Sequence, residues 1–387
     1  MKEMKILLIK GLSQYDAMRQ YIDQWDICFR NMGQKTMLFD VLAGDTTEKL
    51  KEVLCTWQPD VVISCNAMYA ELIEGWLPEH CLFCTVLYDN PVFHGKRLAA
   101  LGSRSIVLSC DRFYTEFIRE QYPNLRRVDF LPLSGKQVPI QKPYRDRKID
   151  LLFTGSYFDI NKHFETIKKL PENLQIIAEN MVDIMMREPD TVLWQAMDQV
   201  LQGYGITLDP PGRLELLQVF QCVDIFARAY VRDQVMLHIV DAGIPVHIFG
   251  GGWNNFCCNH PENLILHEGY GDVSLQALAD TKVSLNIMPW FRGGIQERNI
   301  AAMLAGAVSL TDSSTYIEDE FCDGEDIVLY SLKEMDQIPV VIHSVLENDE
   351  RGERVAEAGY CKAVSRHTWE HRVQVMMEII LQEKNLQ

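Results

Sequence analysis

Four stretches of this 387-residue chain place glycines or ionisable side chains directly after an apolar run, and each suggests its own chemistry. The richest is Arg292-Gly293-Gly294-Ile295-Gln296-Glu297-Arg298, which follows the run 283–287 and opens a helical pattern reaching Gly306. Glycines just ahead of a helix leave unpaired N–H groups and the positive end of the helix dipole converging on one spot, which makes an anion site. Arg298 in the first turn adds a bidentate phosphate donor, at a helix end where a cation is unfavourable unless an anion is near. The plainer alternative is a surface arginine paired to Glu297 or Asp312. Gly250-Gly251-Gly252-Trp253 follows the run 246–249, and three residues without Cβ atoms suit an anion or a close-fitting ring. Thr154-Gly155-Ser156 follows the run 149–153; its glycine permits close backbone approach and its hydroxyls can meet a phosphate, or it is an ordinary strand-to-helix turn. The last, Asp89-Asn90-Pro91-Val92-Phe93-His94 after the run 82–88, offers a carboxylate and an imidazole able to deprotonate a hydroxyl. Otherwise Asp89 caps the turn at Asn90-Pro91 and His94 is simply exposed.

Other motifs are weaker. A G-x-G-x-x-G fingerprint would need glycine at 255, where the chain has Asn255, and no G-x-x-x-x-G-K-[ST] occurs. His367-Thr368-Trp369-Glu370-His371 fits H-x-x-E-H, but a third, well-separated ligand is not apparent, so no metal is expected. Cys81-Leu82-Phe83-Cys84 lies inside an apolar run without a second pair, and the odd total of 11 cysteines reads as small buried hydrophobes in a reducing compartment. Lys and Arg number 37 against 54 Asp and Glu, so the charge of 37 − 54 = −17 weighs against nucleic acid and against an anionic membrane. No run approaches the ~20 apolar residues of a membrane span, and 6–9 is shorter than the roughly 7–15 of a signal peptide. No integral membrane segment and a cytoplasmic location are expected.

The elements that must position these residues alternate. Apolar runs at 6–9, 37–39, 61–64, 82–88, 106–109 and 128–131 are separated by helical patterns such as 15–32, starting at Tyr15, and 111–121. Strands alternating with helices predict a parallel sheet covered on both faces. Prolines and charges at 135–148 interrupt the rhythm as a linker would. It resumes with runs at 149–153, 246–249, 264–266, 283–287, 308–311 and 327–330. The segment 161–240 shows helical periodicity alone, and 367–383 is one long amphipathic helix. The expected division is 1–146, 147–366 with a helical insertion, and 367–387.

Gln296-Glu297-Arg298-Asn299-Ile300-Ala301-Ala302-Met303-Leu304-Ala305-Gly306, leading to Thr311-Asp312, resembles the donor-binding segment of GT-B glycosyltransferases. It is most similar to the bacterial spore-maturation CgeB-like branch, with its Arg-x-Phe-x-Ala-Met-x-x-Gly pattern. Ala358-Gly359-Tyr360 and His367-Thr368-Trp369 with Arg372 follow in order, and Asp89-Asn90-Pro91 with His94 is similar to an Asp-x-Pro-x-x-His element. The resemblance implies an α/β GT-B architecture: two Rossmann-like domains facing a cleft and a C-terminal helix crossing back to the first. It implies a nucleotide-sugar donor, a protein or glycan acceptor, and sugar transfer without metal or cofactor. Gly293, Gly294, Glu297, Arg298 and Asp312 would meet the donor, together with Gly155, Ser156, Gly251, Gly252 and Trp253. His94 or Asp89 would be the base if the reaction inverts configuration. The chain departs from the pattern at Ala301, where many such enzymes carry a ribose-binding glutamate, and at Ile300, where Phe is usual. Glu318 or another group would then hold the ribose. The alternatives are a catalytically silent GT-B binding module and a nucleotide-sugar epimerase of the same fold.

Overall fold

Each apolar run forms a strand in the computed structural model, and the strands make two parallel sheets of six. The structure describes residues 3–13, 16–140, 142–269, 271–289 and 291–386. Met1–Ser134 with His367–Gln387 forms one unit, and Gly135–Arg366 forms the other.

The first unit contains β1 (Lys5–Lys10), β2 (Lys35–Asp40), β3 (Val61–Cys65), β4 (Leu82–Leu87), β5 (Ser105–Ser109) and β6 (Arg127–Phe130), in the order β2-β1-β3-β4-β5-β6. Every residue of β3, β4 and β5 is buried, because helices cover both faces of a parallel sheet. The first helix runs Ala17–Asn31; the Tyr15 start expected for it lies outside the described residues. Arg112–Gln121 begins where the Asp111 carboxylate accepts from the Phe113 and Tyr114 amides. The last helix, Trp369–Asn385, belongs to this unit and not to the one that precedes it in sequence. Its Trp369, Val373, Met376, Met377 and Ile380 complete a core with Ile6, Trp25, Phe29 and Leu108. Glu383 near its end pairs with Arg126 at 2.7 Å.

The second unit contains β7 (Ile149–Thr154), β8 (Val246–Phe249), β9 (Leu264–His267), β10 (Thr281–Leu285), β11 (Val308–Asp312) and β12 (Val328–Tyr330), in the order β12-β11-β10-β7-β8-β9. The helical insertion lies between β7 and β8 and comprises Ile160–Lys168, Glu172–Arg187, Leu193–Gly203, Pro210–Val219 and Gln221–Asp241. The chain builds outward from β7 to β9, then returns to the other side of β7 with β10. This reversal opens a crevice beyond the carboxyl ends of β7 and β10, where open α/β sheets hold ligands.

Residues 135–140 and 142–146 are an integral strip of the second unit and not a free linker. A Cβ at Gly135 would lie 2.5 Å from the Ala301 backbone nitrogen, and Val138 packs on the cluster of Leu152, Phe249 and Ala302. Arg147 is buried and donates to Thr281 O at 2.8 Å and Ala305 O at 3.0 Å. The division therefore falls at Ser134/Gly135, ahead of the 146/147 junction expected from the prolines. No helix among the described residues is long and apolar enough to cross a membrane.

Candidate functional site

The turn after β7 forms one wall of the crevice. The Gly155 amide donates to Phe249 O at 2.8 Å, and its carbonyl accepts from the Trp253 indole at 2.7 Å. A Cβ at Gly250 would fall 2.2 Å from Gly155 O, and one at Gly252 would fall 2.6 Å from Tyr157 O. These two glycines let the turns after β7 and β8 touch. Gly251 is the open member of the triplet: nothing lies within 4 Å of its Cβ position, and its carbonyl accepts from Tyr157. Trp253, expected to line a donor pocket, is 2% exposed and packs edge-on against Phe153. It is a core side chain, because its indole N–H is spent on the Gly155 carbonyl.

The loop after β10 forms the facing wall. Arg292, buried, donates to Asp312 Oδ2 at 2.9 Å, Ser313 O at 2.9 Å and Asp190 Oδ1 at 3.0 Å. The other Asp312 oxygen accepts from the Met288 amide at 2.7 Å. Asp312, expected to meet the donor, thus has both oxygens committed to shaping the loop. Burial pushes its carboxyl upward, while Arg292 and the backbone donors pull it down. Arg292 and Gly293 turn the chain, and Ser314 Oγ donates to Gly294 O at 2.5 Å.

The helix Glu297–Leu304 starts from this loop with Gln296 at its N-cap position. The Arg298 side chain reaches back to β7, donating to Thr154 O and to Gln296 Oε1 at 2.8 Å, and lies over the Phe153 ring. A Cβ on Gly155 would come within 3.0 Å of this guanidinium, so Gly155 and Arg298 adjoin. Glu297 is half-buried, and burial pushes its carboxyl up to about 7 against the pull of Arg298. Ala301 faces inward, 2% exposed, against the Gly135 strip. A glutamate has no room at that position, which accounts for the departure. Glu318 lies on the exposed side of the short helix Thr315–Glu320, with one oxygen accepting from Ser313 Oγ at 3.0 Å.

Sequence reasoning missed Arg232. It projects from the long insertion helix Gln221–Asp241 and donates to Ser156 O at 2.6 Å. Its guanidinium lies over Phe153 and Phe158, and its Nε is buried without a hydrogen-bond partner. Burial pushes Arg232 down to about 9, with Arg298 and then Arg228 adding to the shift. Two arginines from distant parts of the chain thus converge on the turn at 154–156. Only the fold brings them together; the available sequence signal was an arginine pair one helical turn apart, at 228 and 232.

In the first unit, the structure does bring Asp89 and His94 together at the end of β4. His94 Nε2 lies 3.7 Å from Asp89 Oδ2, and the same oxygen accepts from Asn66 Nδ2 at 2.7 Å. Asn90, and not Asp89, caps the turn Pro91–His94, through the Val92 amide. Asp89 is the exposed member of the pair and His94 the more buried. His367 and His371 of the H-x-x-E-H stretch contact Arg372 and Thr368 respectively. Cys81 and Cys84 are buried, and burial pushes both thiols up to about 12, far from a reactive thiolate.

Two parallel six-stranded sheets, the strand-order reversal at β7 and β10, and a C-terminal helix returned to the first unit are the features of the GT-B glycosyltransferase fold. Residues 232–378 match the family described as Glycosyl transferase-like, a span running from Arg232 through Arg298 and beyond. Known structures of the same fold agree over the full length. An alpha-glucosyltransferase solved with UDP-glucose and DNA containing an abasic site superposes with TM-score 0.59 at 10% identity, covering 98% of this chain and 100% of that one. Sucrose-phosphate synthase from Thermosynechococcus elongatus gives 0.57 at 11% identity, with all of both chains covered. Anabaena Alr3699/HepE, solved with UDP and glucose, gives 0.54 at 8% identity, covering 98% of this chain and 100% of that one. The chain spans only 61% and 58% of the longer chains of the GtfA/B complex and TarM. No curated protein matches the sequence.

Proposed function

We propose that the protein transfers a sugar from a nucleoside-diphosphate sugar to a hydroxyl of a protein or glycan acceptor. The observation that carries this reading is the convergence of Arg232 and Arg298 on the turn at 154–156, beside the N-terminus of Glu297–Leu304. A half-buried guanidinium with a buried, unmet Nε–H and a depressed proton affinity is a charge suited to an anion. Arg232, with Arg298 beside it and a helix end, suits a diphosphate.

As the bond from the anomeric carbon to the diphosphate breaks, negative charge grows on the leaving oxygen. Arg298, Arg232 and the helix end would stabilise that charge without a metal. The acceptor oxygen forms the new bond to the anomeric carbon, and its proton passes to the Asp89–His94 pair if configuration inverts. Glu297 and Ser156, polar groups beside the two arginines, would meet the donor. The UDP and UDP-glucose of the neighbouring structures make UDP the first nucleotide to try. The net charge of −17 disfavours nucleic acid as the acceptor, unlike the DNA present in the alpha-glucosyltransferase structure. The spore-maturation CgeB-like branch, a bacterial cytoplasmic setting and the absence of a cofactor belong to the same reading.

Replacing Arg298 with Ala is expected to lower UDP affinity or donor turnover by about 10²-fold. Isothermal calorimetry with UDP, followed by donor hydrolysis, measures both. Wild-type values in that variant sink the assignment.

A further inference from the structure

The insertion helix that carries Arg232 on one face lines a separate groove with another. Phe226 and Tyr230 are one turn apart, offset around the helix from Arg228 and Arg232. Phe226 packs on Phe164 of the helix Ile160–Lys168, with ring centroids 5.3 Å apart, and Tyr230 follows at 6.1 Å. Together with Glu179, Asp183 and Met186 of Glu172–Arg187, these rings line a groove of about 380 Å³. All three rings are half-buried, while both carboxylates are exposed.

We propose that this groove is a carbohydrate-binding subsite that holds a glycan chain away from the donor crevice. A pyranose ring has an apolar C–H face, which stacks on aromatic rings, and an edge of hydroxyl donors, which suits carboxylates. Phe226 and Tyr230 supply the platform, and Glu179 and Asp183 supply acceptor oxygens one helical turn apart on the rim. The rim charges are already partly answered: Asp183 pairs with Arg187 at 2.9 Å, and Glu179 accepts from Gln175 at 2.9 Å. Lys168 sits over the Phe164 ring. What remains is a demand for neutral hydroxyl donors over an apolar floor, which favours a sugar over a basic peptide. Phe226 and Tyr230 point to a different side of the helix from Arg228 and Arg232, from which they are offset by two positions, about 200°. The groove can therefore anchor a polymer without blocking the donor, and anchoring raises the local concentration of acceptor ends. That the bound glycan is the acceptor rests on the function proposed above; that a glycan binds does not.

Saturation-transfer NMR with maltotriose, cellotriose and triacetylchitotriose tests the binding. At least one is expected to receive saturation from aromatic protons, and Tyr230→Ala is expected to weaken its Kd roughly five- to tenfold. The double variant Glu179→Gln/Asp183→Asn, which changes only exposed side chains, is expected to weaken it as well. Calorimetry of UDP with Tyr230→Ala should give the wild-type affinity, so failure of the donor reading and failure of the groove are seen separately. No saturation with any of the three sugars overturns the proposal. So does sugar binding that is unchanged in both variants.

Discussion

Two loops of the second unit each hold a guanidinium, Arg292 buried and Arg232 half-buried with a buried Nε, and they treat it in opposite ways. After β10, Arg292 is enclosed by Asp312, Asp190 and the Ser313 carbonyl, with a carboxylate on either side. After β7, Arg232 meets a carbonyl and two aromatic rings, and its strongest charged neighbours are further arginines. Both are cations near strand ends, yet one is a building part and the other is, in the function proposed, a binding group. The difference lies in what answers the charge and not in the residue type. A buried ion pair is costly to break on one side, whereas a lone buried cation already bears its desolvation cost.

The contrast is sharpest in stability. Asp312→Ala leaves Arg292 buried beside an emptied position, and a loss of about 3–5 kcal/mol in urea unfolding is expected. Little or no change in the unfolding midpoint would place Arg292 in the same class as Arg232. The converse variant, Arg232→Met, removes a desolvated cation from an aromatic setting. Its stability is expected to equal the wild type or exceed it by up to about 1 kcal/mol, together with lost UDP binding. A marked destabilisation there would mean that Arg232 is a structural strut.

The smallest effect is a pH dependence. Burial holds the Glu297 carboxyl at about 7, so it is neutral below that pH and charged above it. A new negative charge beside the diphosphate repels it, so affinity falls as pH rises through this range. A roughly threefold loss of UDP affinity from about pH 6 to about pH 8 is expected, less steep in Glu297→Gln. Calorimetry at the two pH values measures it, and identical slopes in the two proteins would free Glu297 from the site. The sign for stability is the same: a carboxyl raised on folding stabilises at low pH, and that contribution is lost as pH rises through about 7.

The strands were legible because parallel sheets buried on both faces leave unbroken apolar runs, as in β3, β4 and β5. Arg298 stood out because a cation at a helix start is anomalous in the sequence itself, and the fold sets it beside Thr154 and Gly155. The glycines at 250 and 252 were misleading: close packing between two turns and close approach of a ligand demand the same residue. Trp253 and Asp312 likewise sit among site residues in the sequence, but their polar atoms are spent on Gly155 and Arg292. Arg232 was invisible because its partners lie some 76 positions away along the chain, at Ser156. The strip at 135–146 carries the composition of a linker, and only its packing on Ala301 and Leu152 shows otherwise.

The return of Trp369–Asn385 to the first unit has a consequence for how the protein is made. Synthesis supplies β1 to β6 first, but the core around Trp25 and Ile6 lacks Trp369, Val373 and Met377 until that helix is made. The second unit, contiguous from Gly135 to Arg366, has all its residues earlier. On the ribosome, the half that is translated first is therefore the half that closes last, and its apolar sheet face waits for that helix throughout elongation.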